Sequence, residues 1–425
     1  MFKKIIPRSE TSKNILTLIT GTTIAQAIPL ALSPILTRLY SPEEFGTFAL
    51  YLSIVAIFGV ISTGRYELAI MLPKKNEDAK NILILSISIA LVISLLLLLL
   101  VFLFNAQIVS LFNNKAISKW LYFIPVSVLL TGVYNTLKSW FNREKKYKII
   151  ASNGIIRTST VGVSNLGFGY GGFNSSGLII GNVLGLLISV ITFTKKIFMS
   201  NRYFLHKISR VKINKMARRY IDFPKINLLH SFLDMGRESG IIFILSYFLS
   251  TELVGIYFFS ANIIKMPLTV ISSSISQIFF KKISENYNKK IPIDNTIKSI
   301  ILKLALTLPI FVLIYIFSPL IFSSIFGLNW LKGGYIIQAL IPWLGMSFIS
   351  ASISTVPMVL EKQKEFFKIG FFYNLIIVVF LFLFLYIKIE LITSLTILSY
   401  ILFLYLMFTI IWIYKLAKKD NSHGI

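Results

Sequence analysis

Nine ionisable side chains fall inside long apolar stretches of this 425-residue chain: Arg65 and Glu67, Lys138, Arg157, Asp234, Arg237 and Glu238, Lys265, and Lys303 about one turn from the end of its stretch. A charge held in hydrocarbon is costly, so such residues mark a substrate path, an ion path or a buried pair by default. Arg65, Arg157, Arg237 and Lys265 fall deep in their stretches, and Lys138 lies nearer an end, where snorkelling can relieve it. Set against Glu67, Asp234 and Glu238, these cations leave an excess of positive charge, which predicts binding of an anion. Asp234 and Arg237 are three apart and share a helix face, so they are expected to pair. Asp234 and Glu238 are like charges four apart, so one needs a proton or a cationic neighbour such as Lys265. Arg65 and Glu67 are two apart, point to different sides of a continuous helix, and each requires a partner elsewhere. Glu67, Asp234 and Glu238 are the candidates for coupling transport to protons or sodium.

Other chemistries find no support. The chain has no cysteine, which excludes thiolate zinc sites, Fe–S clusters and cysteine nucleophiles. His206, His230 and His423 have no ligand spacing, so neither metal nor cofactor is expected. The glycines Gly167, Gly169, Gly171 and Gly172 follow no strand and read as a hairpin turn rather than a phosphate loop. There is no Walker sequence. An enzyme is therefore not the expected reading.

The elements that must position the charges are membrane spans. Hydrophobic residues make up 55% of the chain, charged residues only 14%, and the mean hydropathy is +0.77, far from the composition of a soluble domain. Spans are predicted over 14–38, 46–72, 82–104, 119–141, 149–170, 175–195, 226–249, 255–280, 299–322, 334–360, 366–387 and 391–414. Lys3, Lys4 and Arg8 precede the first, which is too long for a signal-peptide core and reads as a permanent span. The formal charge of +26 suggests a nucleic-acid partner in a soluble chain. Here 32 of the 43 Lys and Arg fall on alternate connections and 5 on the others, so the charge reports topology, with both termini cytoplasmic. No nucleic-acid partner is implied.

The longest basic connection carries Arg202, Lys207, Arg210, Lys212, Lys215, Arg218 and Arg219 and divides the spans six and six. It is expected to lie on anionic lipid as an amphipathic helix. The division predicts an N-terminal lobe over 1–198, a linker over 199–222 and a C-terminal lobe over 223–425. Ser41, Glu43, Gly46 and Phe48 recur as Ser250, Glu252, Gly255 and Tyr257 at a constant offset of 209. An even span number per half makes the halves parallel repeats, with a cargo cavity between them. Pro29, Pro34 and Pro267, together with Pro342 and Pro357, break helix hydrogen bonds and suit spans that bend. Gly177, Gly181 and Gly185 predict close packing of the sixth span.

Three stretches carry a family likeness: Arg38-Leu-Tyr-Ser-Pro-Glu-Glu-Phe-Gly46, Arg65-Tyr-Glu-Leu-Ala-Ile-Met-Leu-Pro73, and Phe223-Pro-Lys-Ile-Asn227 leading to Gly255 and Pro267. Across essentially its whole length the chain resembles the O-antigen-type oligosaccharide flippases of bacterial surface-polysaccharide assembly. These belong to the superfamily that also contains multidrug extruders and lipid II flippases. The resemblance implies an all-α polytopic protein, two six-helix lobes in a V, and alternating access. It also implies a cargo of sugar repeat units on undecaprenyl pyrophosphate, moved across the bacterial inner membrane. The pyrophosphate would meet Arg65, Arg157, Arg237, Lys265 and Lys138. A polysaccharide polymerase and a chain-length regulator are the implied partners, beside membrane lipid. The essential basic residue that lipid II flippases carry in their first span has only Arg38, at the outer end, as a counterpart. The rival readings are a proton- or sodium-coupled multidrug antiporter on the same fold, and a membrane polymerase or acyltransferase.

Overall fold

The computed structural model describes residues 10–200, 208–289 and 291–423. Lys3, Lys4 and Arg8 and, in the basic connection, Arg202, His206 and Lys207 lie outside the described residues. Helix dominates throughout, as the apolar runs require, because only internally bonded backbone is stable in hydrocarbon. Among the described residues nine helices are long and apolar enough to cross a membrane, or ten if a pair bent by 53°, Lys115–Leu121 with Ile124–Arg143, counts as one span. The protein is a multi-pass membrane protein. The spans expected over 149–170 and 226–249 are also helical but fall short of that standard: the first is rich in Gly, Ser, Thr and Asn, and the second carries Asp234, Arg237 and Glu238.

Two compact units divide at residues 255 and 256. The first contains α1 (Glu10–Leu39), α2 (Pro42–Ile61), α3 (Tyr66–Ala69), α4 (Asn76–Leu111), α5 (Ser118–Leu121), α6 (Ile124–Arg143), α7 (Tyr147–Tyr170), α8 (Ser175–Ser200), α9 (Arg210–Arg219) and α10 (Leu228–Phe248). It also takes the start of α11 (Thr251–Asn288). The boundary falls later than the basic connection because α10 packs along α2.

Within this unit α1 lies against α7 through small residues: a Cβ on Gly21 would strike Ala151, and one on Gly162 would strike Leu32. Gly177, Gly181 and Gly185 approach Tyr40, Asn165 and Val161 as closely, which seats α8 on the end of α1 and on α7. Tyr40, in the turn between α1 and α2, donates its hydroxyl to the Asn165 carbonyl at 2.7 Å. Burial, then the Glu44 carboxylate, pushes that phenol up to about 12, so it remains a donor. Ser41 caps α2 with a full capping box to Glu44.

Pro29 and Pro34 lie inside α1 without ending it. Pro34 lacks the N–H that would bond the Leu30 carbonyl, and the Ser33 hydroxyl donates to that carbonyl at 2.6 Å instead. Pro267 likewise lies inside a continuous α11.

The second unit holds the rest of α11, then α12 (Asp294–Ala305), α13 (Leu308–Ile321), α14 (Leu331–Ile353), α15 (Val356–Val359), α16 (Gln363–Tyr386) and α17 (Leu391–His423). Its centre is α14, buried along most of its length and packed on α13 and α17. Pro319 frees the Tyr315 carbonyl, which accepts from Gln338 Nε2 at 2.7 Å. Pro357 opens α15 after the turn that ends α14, and so interrupts the tenth expected span.

Candidate functional site

The second expected span is not continuous. After Ile61 the chain turns through Gly64 (φ 58°) and Arg65 (φ 61°) before the short α3. The left-handed backbone is cheap at Gly64 and costs about 1–2 kcal/mol at Arg65. This turn overturns the expectation for Arg65 and Glu67. Helix geometry would aim them apart, but the left-handed residue rotates Arg65 back over α3, and its Nη1 pairs with Glu67 Oε1 at 3.2 Å. Thr63 Oγ1 donates to the other Glu67 oxygen. Glu67 is only 3% exposed, and Arg65 Nε is buried with no hydrogen bond among the described residues.

Two further elements hold this turn, and neither is marked for it in the sequence. Arg143, at the end of α6, donates from Nη1 to the Ile70 carbonyl at 3.0 Å and from Nη2 to Asn76 Oδ1 at 3.1 Å. It was legible only as one of the topology-setting cations. The basic helix α9 does more than lie on a surface: Met216 enters the core formed by Tyr66, Tyr134, Trp140, Phe141 and Phe193. Tyr66 donates to the Ala217 carbonyl at 2.9 Å, the Ser209 N–H reaches Asn81 Oδ1 at 3.1 Å, and Lys212 pairs with Glu77 at 3.2 Å. Arg210, Lys215, Arg218 and Arg219 remain exposed on its outer side. Apolar residues at 213 and 216 between cations were the available signal for a docked face.

Arg157 lies near the middle of α7, with its guanidinium carbon 5.0 Å from the centroid of the Tyr134 ring. Tyr134 is itself stacked on Phe193, with centroids 5.7 Å apart. Arg157 has no carboxylate partner among the described residues.

Arg237 pairs with the adjacent Glu238 at 2.7 Å and not with Asp234 as expected from helix spacing. A long arginine can fold along its own turn, and the adjacent carboxylate lies within that reach. Asp234 is exposed and makes no ion pair among the described residues. Lys138 is exposed too.

In the second unit Lys265 Nζ lies 5.4 Å from the centroid of the Trp343 ring. Trp343 is firmly held: its Nε1 donates to Tyr373 Oη at 2.7 Å and its backbone N–H to Ser399 Oγ at 2.9 Å. Nothing in the sequence singles out Trp343 or Tyr134, since apolar-looking aromatics in a span read as core.

The deep cations differ in what they touch. Arg65 and Arg237 are paired to carboxylates, Arg157 lies over the Tyr134 ring, and Lys265 has the Trp343 ring among its neighbours. A family described as "Polysaccharide biosynthesis protein" matches residues 35–333, well over half of the chain. The chain belongs to that family. Among solved structures it is similar to the lipid II flippase MurJ in an inward closed conformation, at 16% identity and a TM-score of 0.71, covering 96% of this chain and 91% of that one. It is also similar to an inward-facing multidrug resistance MATE family transporter of the MOP superfamily, at 14% identity, TM-score 0.68, and coverage of 96% and 95%. A third likeness is to a MOP superfamily transporter from Pyrococcus furiosus, at 14% identity, TM-score 0.58, and coverage of 98% and 97%. No curated protein matches in sequence. At these identities the structural likeness establishes the fold, which is the one expected from the sequence.

Proposed function

We propose that this family member moves undecaprenyl-pyrophosphate-linked oligosaccharide units from the inner to the outer leaflet of a bacterial inner membrane, for O-antigen or capsule assembly. Its cargo crosses without chemical change, by alternating access, with both termini cytoplasmic. A polymerase and a chain-length regulator would receive the product.

The observation that carries this reading is Arg157, a cation at mid-span that no carboxylate neutralises among the described residues, in a polysaccharide-biosynthesis chain. An unpaired ion costs several kcal/mol to bury even after relaxation. The diphosphate headgroup supplies the missing negative charge, and the polyprenyl tail stays in lipid throughout. Inside-negative voltage favours outward movement of that charge by roughly 2.3 kcal/mol per charge per 100 mV. Glu67, Asp234 and Glu238 are the groups through which protons or sodium would reset the carrier.

Deletion of the gene should trap lipid-linked repeat units on the cytoplasmic face, and the wild-type gene should release them. Arg157→Glu at normal protein abundance should not. Release by the charge-reversed protein would defeat the reading. The buried Glu67 and the MATE-like fold favour a cation or drug antiporter as the second reading. In that case deletion would instead sensitise cells to toxic cations and leave the lipid-linked pool unchanged.

A further inference from the structure

We propose that the outer side of α9 docks on the anionic phospholipid of the cytoplasmic leaflet, and that this contact holds the Arg65–Glu67 turn in its folded form. An interfacial helix ordinarily inserts its apolar face into lipid. That route is closed to α9, because Met216 is buried in the core of the first unit and Ile213, three residues before it, lies on the same face. Lipid can reach only the opposite side, where Val211, Lys215 and Arg218 follow one another at spacings of four and three and share a face.

That side carries a charge the protein does not balance. α9 reads Arg210-Val-Lys-Ile-Asn-Lys-Met-Ala-Arg-Arg219, five cations in ten residues with no acid. Lys212 is paired with Glu77, whereas Arg210, Lys215, Arg218 and Arg219 are exposed and make no ion pair among the described residues. Cations three or four apart on a helix are separated by ~5–6 Å, less than the physiological screening length of ~8 Å, so they repel. Arg210 also places a cation in the first turn, where the helix dipole is already positive. Anions laid along this side relieve both effects, and a cluster of four Lys and Arg on one helix is enough to draw in anionic lipid. Val211 favours lipid over an acidic protein as the source of those anions: it is 77% exposed beside Lys215 and Arg218, and Ile221 just beyond the helix is exposed as well. Apolar side chains among cations suit the boundary between headgroups and acyl chains.

The inner side of α9 carries the contact to the candidate site. Ser209 and Lys212 tie its start to Asn81 and Glu77 of α4, and the Ala217 carbonyl accepts from the Tyr66 hydroxyl. Tyr66 opens α3 directly after the left-handed Arg65. Whatever stabilises α9 in its docked place therefore stabilises the backbone that brings Arg65 to Glu67. The inference does not depend on the cargo, so it stands or falls separately from the flippase reading.

The test uses full-length protein in nanodiscs of phosphatidylcholine alone or of phosphatidylcholine with phosphatidylglycerol. One readout is trypsin cleavage after Arg218 and Arg219, taken relative to cleavage after the exposed Lys364 of the second unit. The other is hydrogen exchange of the Tyr66 and Leu68 amides, which are bonded to the Thr63 and Arg65 carbonyls. Phosphatidylglycerol should slow cleavage in α9 about tenfold and slow exchange at both amides. In ~1 M salt the screening length falls to ~3 Å, and both effects should vanish. Arg210→Gln/Lys215→Gln/Arg218→Gln/Arg219→Gln leaves the inner side intact, and its two amides should exchange at the same rate in either membrane. Equal cleavage of wild type in the two membranes overturns the proposal, as does a phosphatidylglycerol effect that survives salt or the fourfold substitution. Slower cleavage with unchanged exchange at Tyr66 and Leu68 refutes the link to the turn. Protection by soluble polyglutamate and none by phosphatidylglycerol would assign this side of α9 to an acidic protein and overturn the lipid assignment.

Discussion

Two glycines in the repeated turn allow a sharp test of why the repeat exists. A Cβ built on Gly46 would overlap the Thr251 carbonyl oxygen and lie 2.8 Å from its carbon; one on Gly255 would overlap the Pro42 carbonyl oxygen and lie 2.6 Å from Gly46 N. Thr251 is Pro42 shifted by the repeat offset, so the two contacts are mirror copies of each other. All four residues lie in the first unit. The obstructing atoms are backbone, so the first turns of α2 and α11 must separate by more than an ångström to restore ordinary contact at 3.5–4.0 Å. Overpacking of this kind costs about 1–3 kcal/mol. Gly167→Ala supplies the reference, because nothing lies within 4 Å of its added Cβ. Both substitutions gain the same helix-propensity term, so the difference between them is the crossing alone. Melting of the full-length protein in detergent should therefore place Gly46→Ala and Gly255→Ala below Gly167→Ala by a margin equivalent to about 1–3 kcal/mol. Once one Cβ has opened the crossing, the second has room, so the Gly46→Ala/Gly255→Ala pair should cost less than the two single effects together. Equal melting of Gly46→Ala and Gly167→Ala, or strict additivity in the pair, would refute the reasoning.

Other consequences can be measured in the same protein. Arg65→Gly relieves the left-handed backbone but strands the buried Glu67, so it should destabilise by about 3–5 kcal/mol less the ~1–2 kcal/mol of relieved strain, and Arg65→Gly/Glu67→Gln should recover most of the loss. Met216→Ala removes the anchor of α9, at about 2–5 kcal/mol locally, and trypsin should then cut at Arg218 and Arg219 faster than in wild type. Ser33→Ala should cost ~1 kcal/mol in thermal stability, and Ser33→Ala/Pro34→Ala should not, because the restored N–H takes over the Leu30 carbonyl.

The helical, many-span character was legible because hydrocarbon admits few structures and the apolar runs are long. The close packing at Gly177, Gly181 and Gly185 was legible for a similar reason, since small residues at four-residue spacing line one helix face. Failures cluster where the backbone leaves regular helix. The pairing of Arg65 with Glu67 depends on a left-handed residue that no periodicity announces. Spacing also favoured Asp234 for Arg237, and side-chain reach to Glu238 prevailed. The linker's charge suggested lipid, while a single Met at the right phase brought it into the core.

The sequence by itself therefore determined where charge enters the membrane region and how many cations do so, because composition and hydropathy are additive along the chain. It also exposed the 209-residue offset. Which cations are neutralised was decided only by tertiary structure. Arg65 lies against a carboxylate and Arg157 against an aromatic ring, and nothing in the local sequence of either distinguishes them. The partner of Arg157 lies on a neighbouring helix more than twenty residues away. Pairing in a low-dielectric interior is set by distances between such elements, and those distances exist only once the chain has packed.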